Sequence, residues 1–562
     1  MTAYTFSQLF DFTRTTAGTF VGSNGLIQNT PASVNLLTFT QEFDNAAWGK
    51  SEVTVAANAT IAPDGTATAD KLVESTANSL HTLIRNITTT AVPYTWSCYI
   101  KAGERTFAFL YHLESNAAVS INLLTGATGT PSGTVAPTAT TVTNAGNGWY
   151  RLTMTATATA ASNSFRVYTA TSLTSSGVYT GDGTSGIFLW GAQLEAGSAA
   201  TEYTRNNGGL FPARFDYDPV TLAPRGILIE EQRTNLMLRS EEFDNASWTK
   251  LGATITANVA PSPDGTLGAD ALVEDTSTGA HVVFQPISFV SGTTYTATVF
   301  AKAGTRTRLN IVCVTGAIFN GDFDLTNGTI IGTYSGTSSI TPAGDGWYRC
   351  QMTATAGATA SGNVQFRLIS SGTTTSYTGD GTSRLFLWGA QTEAGAFATS
   401  YIPTVASQVT RSADICNLTA PMFTPWYNTN EGTFVVEADT SFVGNFPVVV
   451  GYSAASTASF LYVTSGGKIG TWNGTTALDA VAGATTTNNA VFKAANAYAA
   501  SSRNVSMNGA AVASDANAIG SASFIALGKP GLNTSQMLNG HIRRITYYPF
   551  RASNNQLQQV TT

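Results

Sequence analysis

Along most of the chain, apolar side chains alternate with small or polar ones at a period of two. Tyr295-Thr-Ala-Thr-Val-Phe300 and Phe165-Arg-Val-Tyr168 read this way, and Val364, Phe366 and Leu368 repeat the period. A strand with one buried face has this pattern, because successive side chains point to opposite sides. Between such runs stand PDG, KAG, NG and GDG, combinations that supply tight turns. No helical stripe of useful length is present; Asp44 to Trp48 and Pro421 to Tyr427 read as single turns.

The pattern is written twice. NLLTFTQEFDNAAW from Asn35 returns as NLMLRSEEFDNASW from Asn235. APDG at Ala62 answers SPDG at Ser262, and KAG at Lys101 answers Lys302. GWYR at Gly148 then answers Gly346, and YTGDGTS at Tyr179 answers Tyr377, with offsets between 198 and 201. Ordered matches of this kind mean two copies of one module of roughly 170 residues. About eight to ten strands in that length predict a jelly-roll β-sandwich. The last part of the chain carries strand and hairpin signals of its own, including EGTFVVEADT, SFLYVTSGGKIGTWNG and a turn at Asn508-Gly509, without matching the modules. The expected class is all-β: two tandem homologous jelly-roll β-sandwiches followed by a third sandwich. The expected division is a leader (1–34), jelly roll one (35–205), a linker or hairpin (206–234), jelly roll two (235–405) and a terminal sandwich (406–562). Charges around Ile229 predict a surface for the linker.

Only 11% of residues are charged and the formal net charge is -6, so nothing electrostatic points to nucleic acid. Regularly spaced aromatics speak against disorder. Cys98, Cys313, Cys350 and Cys416 form no close pair, and the repeat counterparts of Cys98 and Cys350 are Val299 and Leu152, so buried thiols are expected. The first residues lack the charged start and apolar run of a signal peptide, and no apolar run is long enough for a membrane span.

Sugar binding needs flat apolar faces beside hydrogen-bonding groups, which puts the aromatics first. Trp48 and Trp248, Trp149 and Trp347, and Trp190 and Trp388 are matched pairs, and core is the expected place for them. Trp96 is different, since Ala297 stands at its counterpart position; with Tyr99 and Tyr111 it is a candidate glycan-binding face of jelly roll one. Trp472, beside a turn, and Tyr462 in the same hairpin are candidates in the terminal sandwich. The matched acids, among them Asp64 and Asp264, Asp70 and Asp270, and Glu74 and Glu274, are expected to cap turns; the PDG and GDG acids could alternatively hold a structural calcium ion. The four histidines do not cluster, and no histidine–carboxylate–serine grouping, zinc spacing or phosphate loop appears. No catalytic or cofactor-binding residue is expected.

LAPRGILIEEQRTNLMLRSEEFDNASW resembles a segment of bacteriophage and prophage tail-fibre-like structural proteins, where it precedes a carbohydrate-binding-module-like jelly roll. DFTRTTAGTFVGSNGLIQ from Asp11 resembles their leader, whose usual continuation stands here at Ala213-Arg-Phe-Asp-Tyr-Asp-Pro219, as if the first jelly roll had been inserted behind it. The terminal segment, with GHIRRITYYPFRASNNQLQQVT, resembles a concanavalin A-like lectin/glucanase domain. The resemblance implies a virion protein of a tail or capsid surface, made in the host cytoplasm. It implies binding to host-cell polysaccharide or lipopolysaccharide, without nucleic acid or membrane insertion, in a homo-oligomer, often a trimer. Two other readings stay open: a purely structural decoration protein, and a polysaccharide depolymerase. The latter requires two carboxylates about 5 Å or about 6.5–9.5 Å apart across a cleft. The leader, with Phe6, Leu9, Phe10 and Phe12, is the expected attachment to other virion proteins.

Overall fold

In the computed structural model, residues 10–30, 35–134, 136–174, 177–206, 208, 211–418, 423–452, 460–480, 485–517, 525–529 and 536–562 are described. The alternating pattern becomes antiparallel strands throughout. In jelly roll one, a five-stranded sheet runs in the order Ala117–Asn122, Phe107–His112, Ser162–Ala170, Thr82–Thr88, Gly49–Ser51. Its partner layer is six-stranded, with Pro93–Ala102 and Gly186–Ala196 at the centre. Trp48, Trp96, Ile100, Leu110, Phe165 and Leu189 fill the space between them.

Jelly roll two repeats this plan with two six-stranded sheets. The additional strand is Thr329–Ser335, which pairs with Phe319–Asp324. At the corresponding place, jelly roll one has only the isolated bridges Ala118↔Ser132 and Ile121↔Thr128 among its described residues. A concanavalin A-like sandwich completes the chain. One of its sheets runs Gly540–Tyr548, Gly432–Ala438, Phe492–Ala499, Ser502–Met507, Ala513–Asp515. The helix Asn554–Thr561 follows, started by a capping box in which Ser553 and Gln556 satisfy each other's backbone N–H groups.

The chain divides into two compact units, one from residues 1–15, 31–212 and 415–428, the other from 16–30, 213–414 and 429–562. In the first, Asp11–Thr13 pairs with Ile415–Leu418, so Phe12 lies in a strand opposite Cys416. Phe6 and Leu9 lie outside the described residues. In the second, the leader contributes a hairpin, Thr19–Val21 with Ile27–Asn29. Val21 N donates to Asp216 Oδ1 at 2.6 Å and Ile27 N to Pro263 O at 2.9 Å.

The segment expected as a linker or hairpin forms a hairpin, but the surface expected around Ile229 is corrected. Arg214–Tyr217 and Pro224–Ile229 form a hairpin that extends the terminal sandwich's sheet through the register Ile227↔Ile542. Ile229 is fully buried, and Glu230 beside it is buried as well. Glu230 Oε2 lies 2.8 Å from Arg214 Nη2 and 3.4 Å from Arg411 Nη2, and its carboxylate accepts Ser400 N and Oγ, both at 2.7 Å. Arg214 also bonds Asp414 and donates to Thr19 O at 2.9 Å. Burial alone would raise the Glu230 carboxyl, but Arg411, Arg214 and the Ser400 bonds hold it well below its ordinary range. Removing one member of such a set strands the others in low dielectric. Glu230→Gln should therefore lower stability by about 3–5 kcal/mol, read from denaturant unfolding; a change near zero would mean the cluster is not coupled to folding.

A second buried set joins the same hairpin to the sheet. His541 Nδ1 is 2.8 Å from Asp439 Oδ1 and Nε2 is 2.9 Å from Asp216 Oδ2, so both ring nitrogens must donate and the imidazole is cationic. Burial opposes that charge, yet the two carboxylates override it and raise the pKa to about 9. A folded-state value above the ordinary 6.5 means that protonation favours folding. The contribution is complete below about 6.5 and is lost as pH rises through about 9. Unfolding measured across that window should show the parent losing stability relative to His541→Gln; parallel curves would remove the imidazolium from the account.

Candidate sheet-face site

The residues that the two modules share are spent on the fold. Glu74 takes Arg105 through Nε at 2.8 Å and Nη2 at 2.5 Å, Tyr179 OH at 2.5 Å and Asp182 N at 2.9 Å. Glu274 takes Arg306, Tyr377 and Asp380 in the same way. In each module a histidine joins two loops: His81 contacts Glu52 O and Tyr179 O, and His281 contacts Gly252 O and Tyr377 O. The matched tryptophans are all buried. Trp149 and Trp347 donate to backbone carbonyls at Ile61 and Pro261, both at 3.1 Å. The GDG acids cap their own turns. Asp182 accepts Thr184 N, Thr184 Oγ1, Ser185 N and Ser185 Oγ, and these bonds hold its carboxyl well below the ordinary range. Among the described residues, no three histidine, cysteine, aspartate or glutamate side chains are grouped to hold a metal.

The five candidate aromatics fall in different places. Trp96 is fully buried, packed against Trp48 at 6.4 Å and Phe165 at 6.2 Å, and offers no face to a ligand. Its counterpart Ala297 is equally buried, so the size difference reflects exchanged core volume rather than a surface position. Jelly roll two carries Phe366, 6.0 Å from Trp248, where jelly roll one carries Val167. Tyr99 lies on the outside of the six-stranded sheet, edge-on to Trp190 at 5.2 Å with Arg151 stacked over it. Tyr462 is buried, its hydroxyl donating to Asp479 at 3.1 Å, and burial raises its pKa. Trp472 is half-buried at the end of Ile469–Trp472.

Tyr111 alone leads to a shaped surface. Leu110 and Ala108 point into the core, so Phe107, Phe109 and Tyr111 share the outer face of the five-stranded sheet. Cross-strand register sets Tyr111 opposite Arg166, and Phe109 opposite Tyr168. The Tyr111 and Tyr168 rings lie 5.4 Å apart, inclined by 33°. Arg166 is oriented by Ser164, which accepts from Nε at 3.0 Å. The result is an aromatic shelf of half-buried Phe107, Phe109 and Tyr111, backed by the buried Tyr168 and bordered by one guanidinium.

The same face of jelly roll two has other chemistry. Thr169 N donates to His81 O and Leu368 N to His281 O, which makes Tyr168 and Arg367 equivalent positions. The rung Ser120–Phe109–Tyr168 is replaced by Asp322–Asn310–Arg367. Asn310 Nδ2 donates to Asp322 Oδ1 and Asn320 Oδ1, both at 2.7 Å. Tyr334, 55% exposed on the additional strand, donates to Asp322 Oδ2 at 2.8 Å. Gln365 Oε1 accepts from Arg367 Nε at 2.9 Å and Nη2 at 2.6 Å, and burial without a carboxylate lowers the arginine's pKa. Phe107, Phe109, Tyr168, Arg166, Asn310, Asp322, Tyr334 and Arg367 were not singled out in the sequence. The available signal was FAFLYH against RLNIVC: the inward Ala108 and Leu110 stay apolar as Leu309 and Ile311, while the outward Phe107 and Phe109 become Arg308 and Asn310.

No family model matches the sequence, and no curated protein matches it. Among solved structures, the chain is similar to the CBM40 of the Ruminococcus gnavus IT-sialidase, with 19% identity over 25% of this chain and 88% of that one, at a TM-score of 0.22. It is also similar to a putative carbohydrate binding protein from Bacteroides ovatus, with 11% identity, 51% and 80% coverage and a TM-score of 0.20. Domains LG4-5 of the mouse laminin alpha1 chain match at 11% identity, 49% and 86% coverage and a TM-score of 0.18.

Because Trp96 is core, Trp96→Ala should cost stability by about 3–5 kcal/mol in denaturant unfolding. A variant of unchanged stability would contradict its burial.

Proposed function

We propose that this chain is a non-catalytic glycan-binding protein of a phage particle surface, of tail-fibre type, which engages host-cell polysaccharide through the outer sheet faces of its jelly rolls. The observation that carries the reading is the Phe107–Phe109–Tyr111 shelf beside Arg166, with the buried Tyr168 packed behind it. Half-exposed aromatic rings on a rigid sheet hide the apolar face of a pyranose from water, and a neighbouring guanidinium donates to its oxygens. The sheet fixes both in advance, so little ordering cost is left for binding. A binding role also fits the spending of the repeated carboxylates, Glu74 and Glu274 on arginines and Asp182 and Asp380 on turns. The virion setting rests on the resemblance of the leader, the EEQRTNL segment and the terminal sandwich to phage structural proteins.

The test is saturable binding of the purified full chain to host-type cells and to their extracted surface polysaccharide. Tyr111→Ala and Phe109→Ala should each weaken binding about tenfold or more, as loss of one aromatic face covered by the sugar implies, with folding retained. Absence of saturable binding by the parent chain would favour a decoration protein without a specific ligand. Release of new reducing ends would favour a depolymerase.

A further inference from the structure

Building on the glycan-binding reading, we propose that the terminal sandwich carries a saccharide site of its own, a groove on the outer face of its sheet that takes one ring of a neutral sugar. The groove follows from where the helix Asn554–Thr561 sits. It packs on Phe492–Ala499 and Ser502–Met507, where small side chains let it lie close: Ala495, Ala497 and Leu557 are fully buried together. On the two strands beside it, Gly432–Ala438 and Gly540–Tyr548, the outward side chains Val435, Glu437, Arg544, Thr546 and Tyr548 stay half-buried or exposed. The step from helix down to sheet is a groove of about 210 Å³, whose walls include Val435, Glu437, Lys493, Arg544, Tyr548 and Val560. It opens to solvent, with Arg544 exposed on one side and Val560 37% exposed on the other.

Cross-strand register orders the polar groups. Arg544 stands opposite Glu437, and Glu437 opposite Lys493, so one rung reads donor, acceptor, donor at strand spacings of about 4.8 Å. Their bonding capacity is largely unspent. Among the described residues, Arg544 uses only Nε, on Thr546 Oγ1 at 3.3 Å, and Lys493 gives one of its three donors to Thr562 O at 3.0 Å. Glu437 accepts no hydrogen bond among them and is half-exposed. Tyr548, two positions beyond Thr546 and therefore on the same face, sets a ring beside this row, with Phe550 packed 5.6 Å from it. A sugar hydroxyl both donates and accepts, so adjacent hydroxyls match the row, donating to Glu437 and accepting from Arg544 and Lys493. The apolar face of the same ring lies against Tyr548 and Val560. An acidic group placed in the row would sit against the Glu437 carboxylate and be repelled, which makes the class a neutral saccharide. The groove is smaller than the roughly 300–1,000 Å³ of sites for drug-sized ligands, so it holds one ring rather than a folded oligosaccharide.

The experiment titrates the full chain with oligosaccharides released from host-type surface polysaccharide and separated into neutral and acidic fractions. It is run in the parent and in a Tyr111→Ala/Phe109→Ala background that removes the jelly-roll shelf. Glu437→Gln takes away the central acceptor charge. Val560→Trp fills the groove without touching a polar group, and both positions are solvent-accessible, so unfolding should match the parent. In the shelf-less background, neutral oligosaccharides should still bind, and each of the two variants should weaken that binding by about tenfold or more, the size of a lost charge-assisted hydrogen bond. If the shelf-less chain binds nothing, if neither variant changes its binding, or if only the acidic fraction is affected, the inference falls while the glycan reading stands on the shelf. A parent chain that binds no oligosaccharide overturns the glycan reading itself.

Discussion

The second unit is organised around a buried ionic cluster in which Arg214 and Arg411 share Glu230 and Asp414. Desolvating such charges is expensive, and the Nε atoms of both arginines remain without partners, so the cluster is a poor source of raw stability. Its effect is on which segments come together. Arg214 and Asp414 are 200 positions apart, Ser400 lies 170 positions beyond Glu230, and Thr19 of the leader is held through its carbonyl. An apolar cluster could pack in several registers at similar energy. Two guanidiniums and two carboxylates with fixed donor directions cannot, because any slip leaves a buried charge unpaired. In a chain where only 11% of residues are charged, concentrating four of them at one point fixes where the hairpin 214–229, the end of jelly roll two and the leader meet.

The alternation of side chains along the strands made the class and the duplication legible. Strands with one buried face, such as Phe107–His112, can be found from their own few residues, since burial of one face leaves a period-two record. The hairpin Arg214–Ile229 was legible as a hairpin but not as part of the terminal sandwich. Nothing local distinguishes a charge that faces water from one that faces a partner far away in sequence. Glu230 and Arg214 are polar residues flanking an apolar run, the usual mark of a surface, and only the fold supplies Arg411 and Asp414. Trp96 failed for a related reason. A tryptophan whose counterpart is alanine suggests a position where size does not matter. Here size matters in sum, and the facing layer redistributes it, with Val167 in one module and Phe366, packed on Trp248, in the other.

Retention within a duplicated chain marks what folding demands, which inverts the intuition that kept residues are the functional ones. Glu74 with Arg105 and Tyr179, Glu274 with Arg306 and Tyr377, the histidines at 81 and 281, and the paired tryptophans all close loops or fill cores. Tyr111 was found only because aromatics were sought, and its neighbours Phe109, Tyr168 and Arg166 become visible once the strands are set in register. The polar face of jelly roll two carried no aromatic signal except Tyr334, which lies on a strand matched only by isolated bridges among the described residues of jelly roll one.

Physical separation of the two sides of a sheet explains how the faces could diverge so far. Interstrand hydrogen bonds are made by backbone groups, and the inward side chains Leu110 and Ile311 provide the packing. Outward positions are then constrained only by strand propensity and by their cross-strand neighbours, a matter of tenths of a kcal/mol up to about 1 kcal/mol. Exchanging Phe109 and Tyr168 for Asn310 and Arg367 therefore leaves the sandwich intact. The Asn310 amide donates to Asn320 Oδ1, Gly321 O and Asp322 Oδ1 on the flanking strand, and Arg367 donates to Gln365. Each new polar group thus finds its partners among the other outward positions of the same face and the strand it lies on.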